Sequence, residues 1–253
     1  MVSEVPMTGY RLDSDRGRIP AQRASWRHAF ALLLVASILA PRLSGAGPAT
    51  VNLARGKQLY QSVCMACHGA NAEGKQELMS PALHQQEAWY IMAQLEKFRA
   101  GLRGAAAADT AGALMRPMAL SLPDEQALRD VTAFIKTLRA PPPKAGIKGN
   151  ASAGAAQFAM VCSTCHGKDA RGNPDLKTPA LIGQNDWYMV AQLKKFKSGL
   201  RGGDVKDITG MQMRGMAMTL ATDQAIADVV AHIASMTPGV AGGGKLATAA
   251  AGK

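Results

Sequence analysis

Four cysteines are the whole complement of this 253-residue chain, and they stand in two pairs, each followed at once by histidine: Cys64-Met65-Ala66-Cys67-His68 and Cys162-Ser163-Thr164-Cys165-His166. Two thiols three positions apart with an imidazole next to the second form the arrangement to which a haem is covalently attached. Each thiol adds across a haem vinyl group to give a thioether, and the histidine becomes the proximal iron ligand. One turn of helix brings both sulfurs to one edge of the porphyrin and sets the imidazole beneath the iron. A zinc or redox C-x-x-C pair is the competing use, but a Cys-rich zinc site needs further cysteines and none is left. The chain therefore reads as holding two covalent haem c groups, one on Cys64 and Cys67 with His68 on iron, the other on Cys162 and Cys165 with His166 on iron.

A six-coordinate electron-transfer haem needs a second axial ligand. Downstream histidines do not supply a shared one: at an offset of 98 residues His84 falls on Ile182, and His232 on Phe134. What recurs is Met115 with Met213 and Met118 with Met216, each pair at the same distance from its proximal histidine. A single methionine in a Met-rich chain is ordinarily a packing residue, and paired recurrence is what singles these out. The spacing leaves both members of each pair open, in what reads as one loop. We take the first, Met115 and Met213, as the iron ligands.

The positioning elements follow from the same offset. Gly56 falls on Gly154, "PAL" 81–83 on "PAL" 179–181, "WYIMAQLEKFRAGLRG" 89–104 on "WYMVAQLKKFKSGLRG" 187–202, and "MRPMA" 115–119 on "MRGMA" 213–217, with no gap. A repeat this long is one domain duplicated. Within each copy the pattern is helical: residues 53–63 and 152–161 lead into the cysteines, Trp89, Met92, Leu95 and Phe98 (and Trp187, Val190, Leu193 and Phe196) recur on one face, and a last helix carries Leu128, Val131, Phe134, Ile135 and Leu138. No strand is predicted. The expected organisation is a signal peptide over 1–46, domains over 47–139 and 153–237, a Pro/Gly-rich linker over 140–152 that is stiff through its three prolines, and a disordered tail over 238–253. The leader rests on the 12-residue apolar run "AFALLLVASILA" and the small residues "SGA" after it. That run is shorter than the roughly 20 apolar residues a membrane span needs. It implies export to the periplasm, with an uncleaved anchor the less favoured reading.

The two "CxxCHG" motifs, the "PAL" segments, the "WYxxxQLxxFxxGxRG" runs and the Met-bearing segments together resemble a dihaem class I cytochrome c of the cytochrome c4 type over residues 53–237. The resemblance implies an all-α fold of two tandem class I domains, packed with haem propionate edges facing each other. It also implies that the methionine before an "-RG-" step binds iron, a form "MRGMA" matches and "MRPMA" departs from at Pro117. Similar "QLxxFxxGxRG" and "MRxMA" patterns occur in cytochrome domains attached to terminal oxidases. Arg103 and Arg201, each in "GLRG", suit pairing with haem propionates or with a partner's acidic patch, although an exposed arginine after a helix is more often simply solvated.

The formal charge is +11, of which residues 47–253 carry +8. Two haems bring roughly four propionate charges, so the loaded protein stays basic and suits an acidic protein partner or peripheral association with an anionic membrane surface. No nucleic-acid partner is expected. The function these features imply is a carrier of single electrons from a quinol-oxidising complex toward a terminal oxidase, with no bond chemistry of its own. The alternatives are a dihaem peroxidase or other haem enzyme, or a fixed haem subunit of an oxidase or dehydrogenase complex.

Overall fold

The computed structural model describes residues 50–238, so the leader expected over 1–46 and the tail from residue 239 onward lie outside the described residues. Every α-helical N-cap made by a side chain in the first copy has its counterpart in the second. Helix α1 (Leu53–Leu59) starts at Asn52, whose side chain accepts from Arg55 N, and α6 (Ala151–Gln157) starts at Asn150, which accepts from Ser152 N and Ala153 N. A side-chain acceptor satisfies amide donors that the first helical turn leaves open. Each helix then widens through one π-helical turn, Tyr60–Cys64 and Phe158–Cys162, into a last short turn, α2 (Met65–His68) and α7 (Ser163–His166). Such insertions are frequent at functional sites because they re-aim side chains, and here they fall on the first cysteine of each motif.

The remaining helices repeat likewise: α3 (Ala88–Arg99), α4 (Thr110–Leu120) and α5 (Glu125–Ile135), then α8 (Asp186–Ser198), α9 (Ile208–Met218) and α10 (Asp223–Ser235). Among the described residues no strand forms, only isolated bridges at Lys75–Ser80 and Asn173–Thr178. No described helix is long and apolar enough to cross a membrane.

The Met-bearing segments differ from expectation. Proline and glycine in "MRPMA" and "MRGMA" suggest a loop, yet both lie inside helices. Asp109 and Asp207 cap α4 and α9 by accepting from the third residue on, Gly112 N and Gly210 N. The cap outweighs a breaker placed late in a short helix.

The core of each domain sits where the first helix crosses the last. In the first, Tyr60, Ile91, Leu95, Phe98, Leu128 and Val131 are buried together; in the second, Phe158, Met189, Ile226, Val229, Val230 and Ile233 are. The crossing is close enough to require glycine: a Cβ on Gly56 would lie 2.1 Å from Asp130 O, and one on Gly154 2.0 Å from Asp228 O. The aspartates at these crossings also tie down the first helices, Asp130 accepting from Asn52 N at 2.8 Å and Asp228 from Asn150 N at 2.7 Å. The chain between the domains is fastened to α8, where Asp186 Oδ2 accepts from Gly146 N and Ile147 N.

Candidate functional site

Each domain encloses a cavity, about 310 Å³ in the first and about 470 Å³ in the second, within the range of small-molecule and cofactor sites. Cys64, Cys67, His68, Met115 and Met118 all border the first; Cys162, Cys165, His166, Met213 and Met216 border the second. The sequence-predicted site residues of each copy are thus brought to one place. Apolar side chains, among them Leu95, Phe98 and Leu122 in one and Leu193, Phe196 and Leu220 in the other, complete the walls.

Both histidines are 6% exposed, and their Nδ1 atoms lie 2.9 Å from the carbonyl oxygens of Pro81 and Pro179. A carbonyl only accepts, so Nδ1–H donates and the lone pair stays on Nε2, the tautomer and orientation a metal ligand requires. Burial lowers the pKa of both imidazoles below the usual histidine range, against the opposing pull of those carbonyl contacts. A neutral ring is the form that binds iron. The chain reverses tightly behind each ring, His68 O accepting from Gly74 N and His166 O from Gly172 N, both at 2.8 Å. Burial, reinforced by the neighbouring thiol, pushes Cys64 up to about 12 and Cys162 up to about 11, so before haem is attached both are neutral thiols. Among the described residues no group of three or more His, Cys, Asp or Glu side chains converges on a metal-sized point, which leaves the zinc use of the motif without a ligand set.

Both methionines of each pair border their cavity, and they differ modestly in exposure. Met115 and Met213 are half-buried, whereas Met118 and Met216 are 39% and 44% exposed.

The two cavities share a wall. Tyr90 and Gln94 of α3 and Tyr188 and Gln192 of α8 border both. Arg103 and Arg201 lock this wall from both sides. Arg103 donates to Gln94 Oε1 at 2.9 Å, Gln192 Oε1 at 3.2 Å and Tyr188 Oη at 3.3 Å; Arg201 donates to Gln192 Oε1 at 2.9 Å, Gln94 Oε1 at 2.8 Å and Tyr90 Oη at 2.8 Å. Each guanidinium also covers a phenyl ring of its own domain, Phe98 or Phe196, at 4.4 Å. Burial raises the Tyr188 phenol, but the two guanidinium groups outweigh it and hold the phenol below its usual range. Reciprocal amide contacts stitch the loops beneath the histidines, Gln86 donating to Ala180 O at 3.0 Å and Gln184 to Ala82 O at 3.2 Å.

The expectation that Arg103 and Arg201 are solvated is therefore corrected: they are 7% and 6% exposed. Neither forms an ion pair with a carboxylate among the described residues. A buried cation without a counter-ion is costly, and Arg103 borders the first cavity while Arg201 borders the second. The donor set thus fits haem c: thiols at one edge, a neutral imidazole ready on Nε2, a thioether, and a buried cation that suits an anionic propionate. Sequence reasoning missed this wall, although glutamine at the same place in the otherwise apolar runs "WYIMAQL" and "WYMVAQL" signalled it. His84, which has no histidine counterpart in the second copy, is buried, with Nδ1 donating to Ala72 O at 3.0 Å and Nε2 unpartnered; it does not border either cavity.

The family model for cytochrome c matches the chain twice, over residues 53–139 and 151–237. A thiosulfate dehydrogenase electron acceptor from Stutzerimonas stutzeri (strain A1501) is 31% identical over 186 residues, covering 70% of this chain and 81% of that protein. Cytochrome c4 from Azotobacter vinelandii is 28% identical over 208 residues, covering 79% and 96%. The crystal structure of reduced recombinant cytochrome c4 from Pseudomonas stutzeri matches with a TM-score of 0.58 at 26% identity, covering 73% of this chain and 98% of that one.

Proposed function

Since the chain belongs to the cytochrome c family and carries covalent haem c in two tandem domains as a dihaem electron carrier, we propose that it works in the periplasm without catalysing bond chemistry. It takes single electrons from a quinol-oxidising complex or another dehydrogenase and delivers them toward a terminal oxidase. Bound in these cavities, haem c supplies one-electron exchange between ferrous and ferric iron. The proposed ligands are His68 and Met115 in the first domain and His166 and Met213 in the second, with Cys64, Cys67, Cys162 and Cys165 as the attachment points.

The observation that carries this reading is the shared wall. One layer of side chains, Tyr90, Gln94, Tyr188 and Gln192, borders both cavities, so an electron arriving at one cofactor has a short path to the other. The hydrogen bonds that lock those side chains limit reorganisation as charge moves. Half-buried thioethers from α4 and α9 would close the iron to small ligands, which separates a carrier from a peroxidase. The relative named a thiosulfate dehydrogenase electron acceptor supports a dehydrogenase donor as an alternative to a quinol-oxidising complex. The apolar run at residues 29–40 supports the compartment.

Carbon monoxide tests this directly. The reduced holoprotein should carry two haems per chain and take up no carbon monoxide. Met115→Ala and Met213→Ala should each open one haem to it, while Met118→Ala and Met216→Ala should open neither. Uptake by the unsubstituted protein would move at least one haem to a ligand-binding, enzyme-like role.

A further inference from the structure

One lysine crosses from each domain to the Met-bearing helix of the other. Lys97 on α3 donates to Asp207 Oδ1 at 2.5 Å and to Thr209 Oγ1 at 2.7 Å. Lys195 on α8 makes the mirrored contact with Asp109. Asp109 and Asp207 are the N-caps of α4 and α9, accepting from Gly112 N at 3.1 Å and Gly210 N at 2.9 Å. Each aspartate is 2% exposed, and among the described residues its only ion-pair partner is the lysine from the opposite domain. A buried carboxylate that loses its one direct ion pair is destabilised, even with the Arg201 guanidinium in electrostatic range of Asp207. Relief comes by moving, which here means uncapping the helix.

The first turns of α4 and α9 have little room to move independently. A Cβ on Gly112 would lie 2.2 Å from Asp109 Oδ2, and one on Gly210 2.1 Å from Asp207 Oδ2. On the other side, Gly104 and Gly202 of the "GLRG" turns press against the carbonyls of Gly112 and Gly210, at 2.1 Å from where a Cβ would stand in each case. Displacing the cap therefore displaces the helix that presents Met115 or Met213.

We propose that Lys97 and Lys195 are positioning residues for the opposite domain: each holds in place the methionine helix of the haem its own domain does not carry. The inference rests on the reading of Met115 and Met213 as iron ligands. It makes methionine ligation in each half dependent on the packing of the two halves.

The test is an imidazole titration of the oxidised holoprotein, followed at the two haems separately through their paramagnetically shifted haem-methyl proton resonances. Met–iron ligation in the starting state is monitored by its sulfur-to-iron charge-transfer band. Lys97→Met should let imidazole displace the ligand of the second-domain haem at about fivefold lower concentration, the equilibrium effect of losing a helix cap. The first-domain haem should be unchanged. Lys195→Met should give the reverse pattern. Asn caps a helix about as well as Asp, so Lys97→Met with Asp207→Asn should return the second-domain midpoint to within about twofold of the original.

An effect on the haem of the substituted domain, an equal effect on both, or no effect would overturn the inference. So would a double variant that stays shifted, since that would assign the effect to the lysine's charge beside the cavity. Absence of the charge-transfer band from the unsubstituted protein would instead overturn the methionine reading, and this inference with it.

Discussion

At the scale of single residues, one difference between the copies makes a prediction. Tyr60 is 1% exposed and donates its hydroxyl to Gly69 O at 2.5 Å, while its counterpart in the second domain is Phe158. Burial pushes the Tyr60 phenol well above its usual range, with the nearby Cys64 and Glu73 adding to the shift. A group whose folded pKa is raised contributes stability that is present below the unfolded value, about 10 for tyrosine, and lost as pH rises above it. Urea midpoints of the holoprotein should therefore fall above about pH 10. Tyr60→Phe should reduce that fall while lowering stability at pH 7 by about 1 kcal/mol, the contribution of one buried hydrogen bond. The two haem c motifs were legible from spacing because covalent attachment leaves the spacing no freedom. The choice between the methionines of each pair was not legible, since Met115 and Met118 lie three residues apart on one helix and both border the cavity. The buried role of Arg103 was hidden for another reason: its partners Tyr188 and Gln192 are contributed by the other copy.

At the scale of elements, the helix crossings decide what substitutions the fold accepts. Gly56→Ala or Gly154→Ala drives a methyl into a backbone carbonyl of α5 or α10 and should destabilise its domain by about 3 kcal/mol or more. Gly146→Ala meets nothing within 4 Å and should stay within about 0.5 kcal/mol of the original protein. Gly215 is also open to space, inside α9, so Gly215→Ala should raise stability by about 0.5–1 kcal/mol through helix propensity alone. Urea unfolding of the four variants would check the order. Helices α3 and α5, like α8 and α10, were readable from apolar periodicity. Helices α4 and α9 were not, because Pro117 and Gly215 suggest a loop while the signal for a helix lies eight residues upstream in Asp109 and Asp207.

At the scale of the whole molecule, the duplication was plain in the sequence, but the way the halves meet was not. The contacts that join them, such as Arg201 to Tyr90 and Lys97 to Asp207, pair residues about a hundred positions apart, and no local pattern announces them. The excess of +8 over residues 47–253 exceeds what roughly four propionates remove, so association with an acidic redox partner should slow as ionic strength rises; stopped-flow rates at several salt concentrations would check this. The central claim is that this protein carries electrons and does not use them for bond chemistry. It is tested most directly by rapid mixing of the fully reduced holoprotein with native respiratory membranes, with and without cyanide, and separately with peroxide. The account predicts fast, cyanide-sensitive, salt-dependent oxidation by membranes and little reaction with peroxide; rapid oxidation by peroxide, with membranes inert, would contradict it.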